Sequence, residues 1–205
     1  MSHGQDVLEV IMSRRSIRKF KSKEVPDEVI EKLLLAATSA PTAGGIDWYI
    51  FIVVKSLERR KRVYELLKEA HKFYAAKALK TPWPSDKIKK FLKRLDEGLY
   101  LAPLYIAIYM DLTRELLAHE FKDIERIWAI QSLAAAVENI LIAAHSLGLG
   151  AVWLGVPLFM KDEFNEVLEP PPNTELTAIV ALGYPDETPI KRRPRKPLSE
   201  IVIYR

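Results

Sequence analysis

Residues 14–20 read Arg-Arg-Ser-Ile-Arg-Lys-Phe and open a run, 14–23, that holds six cations. The run follows Val7-Leu8-x-x-Ile11-Met12, whose apolar spacing predicts a short helix with one face in a core. The basic run is therefore expected to be held on a packed element. Guanidinium groups and a hydroxyl in so short a span suit a phosphate dianion, through charge-assisted, often bidentate hydrogen bonds. The alternative is a solvated basic helix end, where arginines offset the helix dipole.

The composition describes an ordinary globular protein with an ample core. The chain has 205 residues, of which 49% are hydrophobic and 28% charged, and this length supports one sizeable domain. Cysteine is absent, which excludes disulfides, thiolate metal sites and a cysteine nucleophile and fits an intracellular protein. The formal charge of +4 suits an anionic small molecule as well as nucleic acid.

The apolar segments of the sequence predict neither a secretory signal nor a membrane span. Asp6 and Glu9 stand where a secretory signal needs an uninterrupted apolar stretch. The most apolar segment, 127–149, is interrupted by Gln131, Glu138, Asn139 and His145 and predicts a buried helix instead of a membrane span. We therefore expect no membrane contact and a cytoplasmic location.

Helical and strand-like segments alternate irregularly along the chain. Caps and apolar spacing predict helices over 26–40, 57–79, 86–98, 124–147 and 161–168. Aromatic and β-branched runs predict strands over 49–54, 104–110, 151–156 and 176–182. This order predicts an α+β protein with three layers, α/β/α, around a mixed sheet. No linker divides the chain, so a single domain over 1–205 is expected.

The tail from residue 185 is predicted to be an extended arm. Prolines at 189, 194 and 197 forbid regular structure over much of it, yet it ends in the strand-like segment 201–204. An apolar strand at the end of an extended tail tends to pair with a sheet edge, and another subunit is the expected source of that edge.

The sequence offers no convincing catalytic side chains of its own. The histidines are scattered without metal-ligand spacing, and they are interpreted as surface or core residues: His3, His71, His119 and His145. Neither Gly-x-Gly-x-x-Gly after a strand nor Gly-x-Ser-x-Gly is present. We predict no metal and name no catalytic residue; a bound cofactor would carry the chemistry of an enzyme of this kind.

Three further segments are candidates for ligand contacts. Ala-Pro-Thr-Ala-Gly-Gly at 40–45 is a small-residue loop whose glycines permit positive φ and close approach of a ligand, or it is a plain turn. The glycines of Gly-Leu-Gly-Ala-Val-Trp-Leu-Gly at 148–155 would bring main-chain amides against the edge of a ligand ring, or the segment is a tight corner between a helix and a strand. Lys-Arg-Arg-Pro-Arg-Lys at 191–196 is a second basic cluster, which alone indicates a solvated tail or a nucleic-acid patch.

Taken in order, these segments resemble the FMN-dependent nitroreductase family. The matching pieces are residues 14–20, 40–44 and 148–155 as quoted, together with Asn-Ile-Leu-Ile-Ala-Ala at 139–144, Leu-Gly-Tyr-Pro at 182–185 and Arg-Pro-Arg-Lys-Pro-Leu at 193–198. Each piece alone is weak. Their order and spacing over nearly the whole chain make the combination specific.

The resemblance implies an α+β homodimer with FMN at the subunit interface and C-terminal arms that embrace the partner. Carried over by position, the residues that would hold the FMN phosphate are Arg14, Arg15, Ser16, Arg18, Arg193 and Arg195. Pro41, Thr42 and Ala43 of the other subunit would line the flavin ring. The backbone amides of Leu154 and Gly155 would face its N5–O4 edge and stabilise the reduced, anionic flavin.

The chain departs from the family pattern at several places. Gly45 stands where many relatives have an asparagine that reaches the flavin, so a water or a backbone amide would replace that side chain there. Trp48 either shapes the substrate pocket or packs in the interface, and packing is favoured. Segment 71–98 matches nothing in the family and is predicted to be a variable lid, in which the role of Trp83 is open.

The implied function is transfer of electrons from NAD(P)H through FMN to electron-poor acceptors such as nitroaromatics or quinones, in a ping-pong cycle. An alternative keeps the fold and FMN with another reaction, reductive dehalogenation or oxygen-dependent flavin cleavage. A nucleic-acid binder that uses both basic clusters is a third possibility. It is disfavoured because aromatic residues are not interleaved with the basic runs. The choice between NADH and NADPH stays open.

Overall fold

The computed structural model describes residues 6–187 and 194–205. The helices in these ranges are α1 Val7–Ser13, α2 Asp27–Thr38, α3 Leu57–Phe73, α4 Ser85–Asp96, α5 Lys122–Ser146 and α6 Lys161–Leu168. The strands are β1 Tyr49–Val54, β2 Leu104–Asp111, β3 Gly150–Leu154 and β4 Thr174–Gly183. A π-helical turn, Tyr74–Ala78, continues α3 toward α4. These bounds agree with the predicted elements to within a few residues.

The four strands form one sheet in the order β1-β2-β4-β3. Every neighbouring pair is antiparallel, so the expected mixed sheet is wrong for these strands. Helices α3 and α4, with the π-helical turn between them, separate β1 from β2, and a 3₁₀ turn and α6 separate β3 from β4; each connection returns the chain to the end of the sheet that it left. The parallel pairing that the described residues do show is an isolated bridge between Ser16 and Ala151.

The sheet is covered on both faces, which confirms the α/β/α arrangement. Because side chains alternate along a strand, β2 sends Leu104, Ile106 and Ile108 into the core under α2 and α5. The intervening Tyr105 and Tyr109 lie in the second core, under α3 and α6. β2 is therefore apolar at nearly every position, as expected for a central strand that is buried on both faces.

The long helix α5 is the core helix of the first layer. By length and composition alone, the helical stretch His119–Ser146 is apolar enough to cross a membrane. Its inner side chains, such as Leu133, Val137 and Ile140, are buried among residues of α2 and the sheet. Burial in the core therefore explains the apolar residues on the inner side of α5, whereas Ile124, Ile127 and Ile130 on its other side are exposed in the protomer.

Helix α1 forms where predicted, but its apolar stripe does not enter the core of the chain. Of its apolar residues only Val10 is buried, at 4% exposure. The four residues of the predicted inward face are exposed: Val7, Leu8, Ile11 and Met12. The helix has only seven residues and lies beside the end of α5, so one side chain suffices to anchor it. The spacing predicted the helix correctly and its buried face wrongly.

The C-terminal segment 201–204 is not a strand in this structure. A single 3₁₀ turn, Leu198–Glu200, precedes it, and its residues are in irregular conformation. Ile203 and Tyr204 are 77% and 92% exposed. A strand forms by pairing, and no sheet edge of the same protomer reaches this segment in the described part of the chain. The expected pairing with a partner subunit thus stays a prediction.

Ile17 of the basic segment packs closely against Gly150 of the sheet. A Cβ added at Gly150 would lie 2.6 Å from the Cβ of Ile17, which is itself buried. Real Cβ atoms do not approach side chains so closely, and the neighbouring atom is the inflexible branched carbon of isoleucine. The structure therefore requires glycine at the start of β3.

We expect Gly150→Ala to lower the free energy of unfolding by about 1–3 kcal/mol, the usual cost of overpacking. Urea denaturation followed by tryptophan fluorescence measures this loss. Gly155→Ala is the matched control, because an added Cβ meets nothing within 4 Å there. The control is expected to change the free energy by less than about 0.5 kcal/mol. Equal stability of the two variants would show that the approach of Ile17 to β3 is looser than described.

Candidate functional site

Backbone hydrogen bonds hold the basic segment 14–21 against the sheet. Ser16 bridges Ala151 of β3, and the Ile17 amide donates to the Ala151 carbonyl at 3.1 Å. Farther along, the Tyr100 amide donates to the Arg18 carbonyl at 2.8 Å. The segment is thus extended and fixed at successive residues, although the packed helix that was expected to hold it contributes little.

The chain that leaves β4 runs beside the same segment. Phe20 bridges Pro185, and the Lys21 amide donates to the Tyr184 carbonyl at 2.9 Å. The Glu187 carboxylate accepts the Arg18 amide at 2.6 Å. These contacts place the beginning of the tail next to the first basic cluster. They explain how the second cluster, far away in sequence, can reach the same place.

A cavity of about 750 Å³ opens over this junction. Its walls come from the end of α1 and the basic segment, from α4 with Trp83 ahead of it and Leu99 and Tyr100 after it, and from the tail. The described lining residues are Ile11, Arg14, Arg15, Ser16, Arg18, Trp83, Lys87, Lys90, Phe91, Arg94, Leu99, Tyr100 and Arg195. The structure therefore brings Arg14, Arg15, Ser16 and Arg18 together with Arg195. Arg193 lies outside the described residues.

The cavity is strongly positive. Seven of its described lining residues are Lys or Arg, and none of them is Asp or Glu. The Arg14 guanidinium has a carboxylate nearby, with its Nε 3.4 Å from Glu138, but this buried Nε makes no hydrogen bond. A cavity with this excess of cations is a feature that an anionic ligand would satisfy.

Arg15 is oriented by the end of α1. Its Nη1 donates to the carbonyls of Met12, Ser13 and Arg14 at 2.7–2.8 Å, so the guanidinium caps the C-terminus of the helix. Interaction of an arginine with a helix end was the alternative to phosphate binding for this basic run. Arg15 also lines the cavity, so capping and ligand contact are compatible for this side chain.

His145, at the end of α5, stands behind the two arginines. Its Nε2 lies 2.9 Å from the Ser13 hydroxyl, which ties α1 to α5. Burial, and then the positive charges of Arg14 and Arg15, lower the pKa of His145 below its usual value. A neutral imidazole leaves the positive charge of this wall to the guanidinium groups.

The loop 40–45 has the conformation that its glycines predict. Gly44 and Gly45 have φ of 66° and 68°. The Ala43 amide donates to the Ser132 hydroxyl of α5 at 3.0 Å, and the Trp48 indole donates to the Ala43 carbonyl at 3.2 Å. Trp48 is 2% exposed, so it packs in the core of its own chain and not in an interface.

Several predicted site residues lie away from this cavity in the protomer. Among the residues described, its lining does not include Pro41, Thr42, Ala43, Gly45, Leu154 or Gly155. The expectation for the loop was a contact with the ligand of a partner subunit, and Pro41 and Gly45 are exposed as such a contact requires. Gly155 is exposed at the end of β3, whereas the side chain of Leu154 is buried.

The wall formed by α4 was not found from the sequence. Lys87, Lys90 and Arg94 repeat at i, i+3 and i+7, which places them on one face of the helix. Trp83 and Phe91 line the cavity together with these cations, and their rings are 5.3 Å apart and nearly perpendicular. The helical spacing of the cations was the available signal, but in a sequence it cannot be distinguished from a solvated face.

Known proteins match this chain over most of its length. The sequence profile described as "Nitroreductase family" matches residues 11–184. A Methanothermobacter thermautotrophicus protein named "Putative NADH dehydrogenase/NAD(P)H nitroreductase" is 36% identical over 90% of this chain and 80% of its own length. Iodotyrosine deiodinase 1 of Sus scrofa is 29% identical over 98% of this chain and 68% of its own length.

Structural similarity agrees with the sequence comparison. A BluB-like flavoprotein from Clostridium difficile 630 superimposes with a TM-score of 0.78 and is 28% identical, covering 98% of this chain and 99% of its own. The family profile spans the basic segment, all four strands and the turn after β4. The chain therefore belongs to the nitroreductase family.

Proposed function

We propose that this protein is an FMN-dependent oxidoreductase that passes electrons from NAD(P)H to electron-poor acceptors such as nitroaromatics or quinones. Membership of the nitroreductase family supports the reaction class. The observation that carries the proposal is the convergence of Arg14, Ser16, Arg18 and Arg195 on one cavity. Cations from both ends of the chain thereby face a space large enough for a cofactor.

The residues present fit the phosphate of FMN. A phosphate dianion accepts several hydrogen bonds, and the cavity offers guanidinium donors and a serine hydroxyl. No carboxylate lies among the described lining residues to repel it. The family resemblance implies that Arg193 is a further donor to this phosphate.

When bound, FMN supplies a ring that accepts a hydride from NAD(P)H and yields electrons to the acceptor. The contribution of the chain is to bind and orient. The basic segment and Arg195 would hold the phosphate, and the amides of Leu154 and Gly155 would face the ring edge. We propose no acid or base side chain for the electron transfer, because FMN supplies the chemistry and the chain supplies orientation.

We further propose a homodimer in which Pro41, Thr42, Ala43 and Gly45 of one subunit line the flavin held by the other. Exposed apolar residues support it, because monomers rarely expose large contiguous apolar patches. They are found on α1, α5 and the tail: Leu8, Ile11, Met12, Ile124, Ile127, Ile130, Leu198, Ile201 and Ile203. A mass of 23.5 kDa by light scattering, that of one chain, would contradict the dimer.

The remaining expectations stay proposals. These are a single domain over 1–205, a lid over 71–98, an arm over 185–205 and a cytoplasmic location. The lid is supported by α4 and Trp83, which form one wall of the cavity. The arm is supported by the position of Arg195, which lines the cavity together with the basic segment.

A second candidate keeps FMN but changes the reaction to reductive dehalogenation or oxygen-dependent flavin cleavage. The similarity to iodotyrosine deiodinase 1 over nearly the whole chain favours dehalogenation specifically. That similarity is lower in identity than the one to the archaeal nitroreductase-like protein. We therefore keep electron transfer to nitroaromatics or quinones as the first candidate.

We expect Arg14→Ala combined with Ser16→Ala to weaken FMN binding by at least about 100-fold, because two contacts to a charged group are lost. Flavin absorbance after dialysis gives the occupancy, and quenching of FMN fluorescence gives the dissociation constant. Lys21→Ala is the matched control, since Lys21 belongs to the same basic run but does not line the cavity. Full occupancy in the double variant would contradict the site.

Arg195→Ala is expected to weaken FMN binding as well. If Arg14 and Arg195 share one phosphate, their effects will not be additive, because groups that share a partner are energetically coupled. A double-mutant cycle of FMN dissociation constants measures this coupling. Strict additivity would place the two arginines on different ligands.

The reaction itself is tested under anaerobic conditions with the holoprotein. We expect NAD(P)H to bleach the flavin spectrum and a nitroaromatic or quinone to restore it. Parallel assays measure iodide release from iodotyrosine, and flavin loss in air. Iodide release that is faster than nitroaromatic reduction would favour the second candidate, and a colourless protein that takes up no FMN would contradict both.

A further inference from the structure

The cavity holds more positive charge than a single phosphate requires. A phosphate group carries about two negative charges at neutral pH. Arg14, Arg15 and Arg18 of the basic segment line the cavity together with Ser16 and Arg195, and of these cations Arg14 has a carboxylate nearby, that of Glu138. The wall opposite adds Lys87, Lys90 and Arg94 of α4. Below, "the α4 row" denotes these three cations.

The α4 row is not neutralised by the protein itself. In the parts of the chain that the structure describes, no carboxylate lies within 4.0 Å of Lys87, Lys90 or Arg94. The cation next to them on the other side of the helix, Lys93, does pair with Glu97 at 3.8 Å. The cations that face the cavity therefore keep their charge available for a ligand.

The same wall presents aromatic surface. Lys87 Nζ lies 4.1 Å from the centre of the Trp83 ring, and Trp83 packs edge-on against Phe91 at 5.3 Å. Trp83 and Phe91 are half-buried, so part of each ring faces the cavity. A flat ligand with an anionic group would find here both an apolar surface and a cation beside it.

We propose that the α4 row binds the phosphate or carboxylate of a second, aromatic ligand, which enters the cavity beside the FMN phosphate site. This inference rests on the proposed function and names its substrate class. Two molecules of the cycle can carry that chemistry: the donor, through the 2′-phosphate that distinguishes NADPH from NADH, and an acceptor with a carboxylate or phosphate on its ring. The row then acts in specificity, not in holding FMN.

The chain offers a matched pair of variants for the test. Lys87→Gln with Lys90→Gln removes two charges from the cavity wall. Lys89→Gln with Lys93→Gln removes two charges from the same helix at positions that do not line the cavity. Both pairs change exposed side chains, so neither is expected to prevent folding. All measurements use holoprotein, and flavin absorbance reports its FMN content.

Binding of unreactive probes is measured first, by titration calorimetry. We expect the cavity pair to weaken binding of benzoate and phenyl phosphate about tenfold or more, since contacts to charged groups are lost. Binding of benzyl alcohol, which has no charge, is expected to be unchanged. The control pair is expected to bind all three probes like the wild type.

Kinetics then identify the source of the anion. One arm compares NADPH with NADH, and the other compares para-nitrobenzoate with para-nitrobenzyl alcohol. A rise in KM for NADPH alone assigns the row to the donor, and a rise for para-nitrobenzoate alone assigns it to the acceptor. Either result supports the proposal, provided that KM for the less charged compound, NADH or para-nitrobenzyl alcohol, is unchanged.

Three results would overturn the inference: unchanged binding of both anionic probes, equal losses in the control pair, or loss of FMN from the cavity pair. The last would mean that the α4 row belongs to the FMN phosphate site. None of these results touches the proposed function, because wild-type holoprotein would still bind FMN and react. A wild-type protein that binds no FMN would contradict the proposed function and, with it, this inference.

Discussion

The site depends on the backbone pairing of residues 16–21 with two other parts of the chain. On one side Ser16 and Ile17 pair with Ala151 at the start of β3. On the other side Phe20 and Lys21 pair with the chain that leaves β4. Arginine side chains are long and flexible, so a fixed backbone is what turns a basic run into a positioned set of donors. The absence of a side chain at Gly150 permits this close packing.

The same arrangement concentrates like charge, which is unfavourable until an anion arrives. The seven cations around the cavity repel one another, and within its described lining there is no acidic side chain, although Glu138 lies 3.4 Å from Arg14 behind that wall. A ligand that binds the folded chain stabilises it by mass action, and a phosphate dianion would do so here by relieving repulsion as well. The positive wall thus explains how a chain without a glycine-rich nucleotide motif could still retain a phosphorylated cofactor.

Much of the fold could be predicted from the sequence because its patterns are local. The continuous apolar run of β2 and the apolar composition of α5 each identify one buried element. What such patterns lack is the identity of the neighbour. The stripe on α1 predicted a helix, but it did not show that the chain itself would leave Leu8 and Ile11 exposed. The direction of strand pairing and the conformation of 201–204 likewise depend on distant partners.

The site was predictable to the extent that its residues carry a motif. The two arginine clusters were assigned one ligand by resemblance, and the structure shows the reason why they can meet, in the contacts of Tyr184 and Glu187 with the basic segment. The α4 wall has no motif. The sequence alone does not distinguish Lys87 and Lys90, which line the cavity, from Lys89 and Lys93, which do not. Tertiary packing is what separates the two pairs.

The most direct measurement is a comparison of FMN with riboflavin, which has the same ring but no phosphate. If cations from both ends of the chain bind one phosphate, the wild-type protein will bind FMN at least about 100-fold more tightly than riboflavin. That preference will shrink in Arg14→Ala and also in Arg195→Ala. Equal dissociation constants for the two flavins, or a preference that Arg195→Ala leaves intact, would contradict the account.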